Sequence, residues 1–217
     1  MEMIQINKPN YKKVQQTAYS ILETHPYFFN MSFPISPIDI IQNVPNIKLE
    51  TYSNLAVLTE SSNDEIAEML DSEEGSTFFD PTQNRYVIAF NENRNEHRIR
   101  FTLAHELGHI YLGHLLENAP DDLYKIQETE ANYFAKRLLV PQPFICKALE
   151  ITDLQTLNTS DISILFNVSM EVAGYSINNY NCLPFTPRND EMCKPFIKGI
   201  NRQMTILQMA HRISPSA

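Results

Sequence analysis

The sequence predicts an α+β fold, mostly helical, in which a small β-sheet packs beside a two-helix metal site and a helical C-terminal extension follows. Three observations carry that prediction. Apolar residues recur at helical spacing through much of the chain, whereas β-prone runs are confined to a few short stretches between residues 47 and 90. His105-Glu106-Leu107-Gly108-His109 spells H-E-x-x-H inside one of the helical segments.

Composition narrows the function classes. At 217 residues with 43% apolar and 20% charged side chains, the chain has the make-up of a soluble globular protein. A net charge of −9 argues against a broad basic surface for nucleic acid, and no direct nucleic-acid partner is expected. The first ten residues hold neither a basic leader nor an apolar h-region, and no apolar run approaches the length of a membrane span. Those features predict a cytoplasmic protein without a membrane partner. Three cysteines, Cys146, Cys182 and Cys193, form no C-x-x-C pair and read as free thiols.

Taken in order, Val14, Ala18, Ile21 and Leu22 give residues 10–24 the pattern of an amphipathic helix, broken at Thr24-His25-Pro26. His25 reads as an exposed loop histidine. Ser36-Pro37 is a helix start, with Ser as cap and Pro in the first turn, and that helix ends near Pro45. Residues 47–52 alternate as a strand, and 64–70 form a short helix whose acidic run reads as a solvated face. Ser76–Phe79 and Arg85–Phe90 flank a stretch of turn formers and read as a β-hairpin. The second of these strands either lies inside the sheet or offers an edge to an extended substrate.

Asn95 or Asn93 caps the next helix, which runs to Gly113. On that helix the imidazoles of His105 and His109 project about 40° apart and roughly 6 Å along the axis, so both can reach one metal ion. Glu106 falls beside them, where its carboxylate can take a proton from a water at the metal. His114 is out of register with the extended metzincin pattern, which needs its last histidine at position 115, and is assigned no ligand role. A catalytic zinc takes three protein ligands, and the helix spanning 123–139 offers Glu128 or Glu130 as the third. Glu128 is preferred because Asn132 follows one turn later, able to hydrogen-bond a ligand from behind, and the other glutamate then reads as an exposed helical carboxylate. Tyr133, Tyr175 and His97 are candidates for steadying an oxyanion.

Phe101 to His109, followed by Glu128-x-Glu130-Ala131-Asn132-x-Phe134-Ala135 and Leu138-Leu139-Val140-Pro141, resembles the ImmA/IrrE family of metallopeptidases over residues 76–141. The resemblance implies a minimal gluzincin-like Zn²⁺ site, with His105, His109 and Glu128 as ligands and Glu106 as the catalytic base. It further implies a cytosolic endopeptidase that cuts a protein substrate, a transcriptional repressor encoded nearby on a phage or mobile element. On this reading residues 1–141 form a zincin-like peptidase domain and 142–217 a helical region for partner or substrate recognition. A metal-containing regulator that binds or senses without cutting is the alternative, and retention of Glu106 favours the enzyme.

Beyond Pro143, residues 144–149 and 151–157 read as short helices, and Ser160–Tyr175 reads as helix, tight turn, helix. No Lys or Arg occurs between Asp161 and Asn181, so this pair is expected to pack or to meet a protein rather than DNA. Residues 183–190 read as an irregular linker and 200–213 as a last helix.

Overall fold

The computed structural model describes residues 8–24, 32–114, 119–152, 156–178 and 187–213. His25, Cys182, the break after Thr24 and part of the segment read as a helix over 151–157 lie outside them. Helix α1 (Tyr11–Thr24) buries the four expected residues, Val14, Ala18, Ile21 and Leu22. Helix α2 (Pro37–Gln42) starts as its sequence dictates, with the Ser36 hydroxyl accepting from the Asp39 amide and Pro37 in the first turn, where its missing N–H costs nothing. Strand β1 (Ile47–Thr51) then passes directly into α3 (Tyr52–Thr59), capped by Thr51. This helix has no sequence signature because it is not amphipathic in the usual sense. Only Tyr52 and Ala56 are buried, while Val57 and Leu58 are exposed.

Helix α4 (Asn63–Met69) opens with a capping box between Ser62 and Glu65. It buries Ile66 and Ala67, and Met69 is exposed. Strands β2 (Gly75–Asp80) and β3 (Arg85–Phe90) pair antiparallel, and β3 also pairs in parallel with β1, giving the order β1-β3-β2. The expected hairpin is present, but β3 has no free edge. Its near-continuous apolar run fits that central place: Ile88 and Phe90 join the main core, and Ala89 meets Tyr52 and Ile66 of a second, smaller cluster on the other face. Among the described residues, β2 keeps one unpaired edge.

Helix α5 (Glu96–Leu112) is capped by Asn95 and stopped by Gly113 at φ 69°, a left-handed conformation that glycine adopts without strain. Helix α6 (Asp121–Leu139) packs along α5 and α1. The two are close because of Gly108: a Cβ there would lie 3.0 Å from the Phe134 ring and 3.2 Å from the Ala131 Cα. Next come α7 (Gln142–Thr152), α8 (Thr159–Phe166) and α9 (Met170–Asn178). Helix α10 (Pro187–Cys193), a 3₁₀ turn (Lys194–Phe196) and α11 (Ile197–Ile213) complete the described chain.

Two sequence expectations change here. Residues 187–190, read as linker, open α10, because Pro187 suits a first helical turn and Met192 and Cys193 have a buried place to go. The last helix begins three residues earlier than expected, at Ile197, and buries Ile200, Met204 and Leu207. One hydrophobic core runs from Val14 and Leu22 through Leu103, Leu107 and Phe134 to Phe166, Phe196 and Leu207. No described helix is long and apolar enough to cross a membrane.

Candidate metal centre

His105 and His109 leave α5 on the side that faces α6, where Glu128 projects between them. The two Nε2 atoms are 3.0 Å apart. Glu128 places Oε2 3.4 Å from His105 Nε2 and Oε1 3.2 Å from His109 Nε2. Ligands about 2.0–2.1 Å from a tetrahedral ion are roughly 3.3 Å from one another, so the three donors are spaced as one small cation would hold them. They form the His/Cys/Asp/Glu cluster able to hold an ion among the described residues. Two imidazole nitrogens and a carboxylate also match the donor preference of zinc and its first-row neighbours.

Without an ion, the cluster is an electrostatic knot. Burial pushes the Glu128 carboxyl up, but hydrogen bonds and charge from His105 and His109 outweigh it and hold that carboxyl well below the usual range. Burial works against protonation of His105, yet Glu128 and Glu106 together raise its pKa above 6.5.

Glu106, about 100° around α5 from His105, turns toward the sheet and lines the same cleft as the three donors. Its Oε2 accepts a 2.7 Å hydrogen bond from the Thr77 hydroxyl on β2, and both residues are buried. Thr77 was not legible as a functional residue, since one threonine in a short strand resembles any other. Its inward register, opposite Ile88 on β3, is the signal that could have found it.

The outer contacts differ from expectation at two points, Asn132 and Glu130. Asn132 does not hold the Glu128 carboxylate: its Nδ2 donates to the Glu128 main-chain carbonyl at 2.8 Å, and its side chain hydrogen-bonds His105. Glu130 is turned away from the ligand cluster, but it is not an exposed carboxylate. Its side chain is 13% exposed and pairs with His114 Nε2 at 3.1 Å. His114, outside the ligand cluster, sets its Nδ1 3.1 Å from His109 Nδ1.

A cleft of about 920 Å³ opens over the cluster. One wall is β2 with Gly75, Ser76 and Thr77, and the opposite wall is the α8–α9 corner with Ser163, Ser169, Met170 and Val172. That corner is tied to the base of α5. His97 Nε2 lies 3.0 Å from Asn167 Oδ1, and Arg100 donates to the main-chain oxygens of Asn167, Phe166 and Ile35 at 3.0, 3.3 and 2.7 Å.

Of the three oxyanion candidates, His97 alone lines the cleft. The Tyr133 hydroxyl donates to Gln15 at 3.3 Å, and the Tyr175 ring carries Lys136 at 4.0 Å. Tyr124, one turn before Glu128 on α6, lines the cleft and is 55% exposed. The negative charge of Glu128 raises its pKa, so its hydroxyl stays a donor.

Residues 60–178 match a peptidase family described as the IrrE N-terminal-like domain. An 80-residue stretch is 42% identical to the radiation response metalloprotease IrrE of Deinococcus radiodurans, covering 33% of this chain and 24% of that protein. The chain thus spans about a quarter of the length of that relative. The family match covers more than half of the 217 residues and takes in both helices of the cluster, β2 and the α8–α9 corner. By that match, the chain belongs to the IrrE N-terminal-like family of peptidases.

Proposed function

We propose that the protein is a zinc-dependent endopeptidase whose substrate is another protein, a transcriptional repressor encoded nearby on a phage or mobile element, met in the cytoplasm. The observation that carries the catalytic reading is the pairing of three donors 3.0–3.4 Å apart with a separately anchored carboxylate, Glu106. A site that only held a structural ion would need no base beside it. His105, His109 and Glu128 would hold the zinc, which supplies a Lewis acid that activates water near neutral pH and polarises a carbonyl.

The chain's own residues do the remaining work. With Oε2 engaged by Thr77, Glu106 has Oε1 left to take the proton of the attacking water and pass it to the leaving amine. Tyr124, which lines the cleft and is exposed, would donate its hydroxyl to the oxygen on which charge develops. The unpaired edge of β2 lines the cleft beside Thr77 and offers main-chain donors and acceptors to an extended peptide. The α8–α9 wall, with exposed Met170, would then choose among side chains.

The decisive experiment incubates the zinc-loaded protein and its Glu106→Gln variant with the repressor encoded beside it and reads intact masses. Specific fragments with the parent and none with the variant support the peptidase. Tight binding without fragments from either would point instead to capture of the partner without cutting.

A further inference from the structure

We propose that His114 and Glu130 are positioning residues for the metal centre, a buried imidazole and carboxylate that fix the ring and tautomer of His109 from behind. The inference rests on the reading of His105, His109 and Glu128 as metal ligands.

Proton bookkeeping leaves one arrangement. His109 turns Nε2 toward the other two donors, 3.0 Å from His105 Nε2 and 3.2 Å from Glu128 Oε1, so a neutral, ligating ring carries its proton on Nδ1. His114 Nδ1, 3.1 Å away, must then accept that proton's hydrogen bond. The proton of His114 is thereby placed on Nε2, which lies 3.1 Å from Glu130 Oε2. Each contact in the series now has one donor and one acceptor. The opposite tautomers would set two bare nitrogens against each other or point a proton into the ion.

The surroundings hold this series in place. The His114 side chain is 5% exposed. Glu130 is fixed at its second oxygen as well, because Oε1 accepts from the main-chain N–H of Asn10 at 2.6 Å. A carboxylate at the end of such a series makes the ligating imidazole more basic and limits its rotation. His105 also has a hydrogen-bond partner outside the ligand cluster, the side chain of Asn132.

Local backbone chemistry explains how a histidine out of helical register comes back to the site. Gly113, at φ 69°, reverses the chain at the end of α5, and the His114 N–H donates to the His109 carbonyl at 3.0 Å. This is a Schellman turn, in which the residue after the glycine folds back over the one five positions earlier. Such turns usually close with an apolar contact. Here an imidazole pair takes its place.

The test uses the full chain, stripped of metal, with zinc affinity measured by competition against a chromophoric chelator and the Co²⁺-loaded protein followed by its visible absorption. His114→Phe keeps the bulk of the ring and removes the acceptor. His114→Gln restores an acceptor and a donor, and Glu130→Gln keeps an acceptor for the Asn10 N–H. Zinc affinity is expected to fall about 10- to 100-fold in His114→Phe, with an altered Co²⁺ spectrum, and by a smaller factor in Glu130→Gln. His114→Gln should recover most of the loss.

Wild-type affinity and spectrum in both His114→Phe and Glu130→Gln would overturn the proposal, as would equal losses in His114→Phe and His114→Gln. If His114→Phe fails to fold, Glu130→Gln decides, since a carboxylate with no role in the series would leave zinc affinity unchanged. A parent protein that binds no zinc removes the metal-centre reading itself, an outcome distinct from tight binding that ignores both outer residues.

Discussion

On the proposed mechanism, the hydrogen bond from Thr77 to Glu106 bears on catalysis and not on metal binding. Thr77→Val keeps the shape of the side chain and removes the donor to Glu106 Oε2. The catalytic rate should fall roughly tenfold, equivalent to losing a charge-assisted bond of about 1.5 kcal/mol, with zinc affinity unchanged. Tyr124→Phe should lower kcat by about 100-fold with little effect on KM if its hydroxyl meets the developing charge. His105 gives a pH signature of opposite sign in the two metal states. In the metal-free protein the raised pKa of His105 contributes stability that is complete below about 6.5 and lost as pH rises through the higher folded value. The depressed pKa of Glu128 contributes stability present above its ordinary range and lost only in strong acid. The His105 contribution to the melting of stripped protein should therefore weaken from mildly acid to mildly alkaline pH, opposed by buried His114, whose pKa is lowered. Zinc-loaded protein should gain over the same interval, because protons compete with the ion for the imidazoles. Scanning calorimetry of both forms across that range checks the crossing.

Helices α5 and α6 were legible from residues 95–139 because each carries its own punctuation, Asn95 and Gly113 for the first and Pro141 beyond the second. Their closeness was not, since it depends on Gly108 having no side chain to hold Phe134 off. Gly108→Ala should force the two apart and cost about 1–3 kcal/mol, with a loss of zinc affinity as Glu128 withdraws from the histidines; thermal melting and chelator competition report the two effects. The α3 helix stayed hidden because Val57 and Leu58 face outward, which erases the apolar period. Whether β3 lies inside the sheet or offers an edge stayed open in the sequence for a related reason. A continuous apolar run such as Tyr86 to Phe90 cannot reveal from sequence which neighbour covers each side, and the covering strand, β1, pairs with it from almost forty residues away. Glu130 was misread as exposed, and its contact with His114 stayed hidden, because helical spacing describes neighbours on one helix, whereas these two meet across the turn at Gly113 and the gap to α6.

At the scale of the whole molecule, the candidate site is assembled from separate parts of one core. The candidate ligands come from α5 and α6, the threonine that holds Glu106 from β2, and a further part of the cleft lining from the α8–α9 corner. That corner is held to α5 by Arg100 and His97 through Asn167. Arg100→Ala should strip three main-chain oxygens of their donor and destabilise the fold by about 2 kcal/mol, read in urea unfolding. Because the wall and the ligands belong to different helices, change at Met170 or Glu171 alters the shape offered to a guest without moving His105, His109 or Glu128. On the proposed function, the chemistry can be inherited intact while preference drifts, and two lineages could come to answer different partners with the same set of reacting groups.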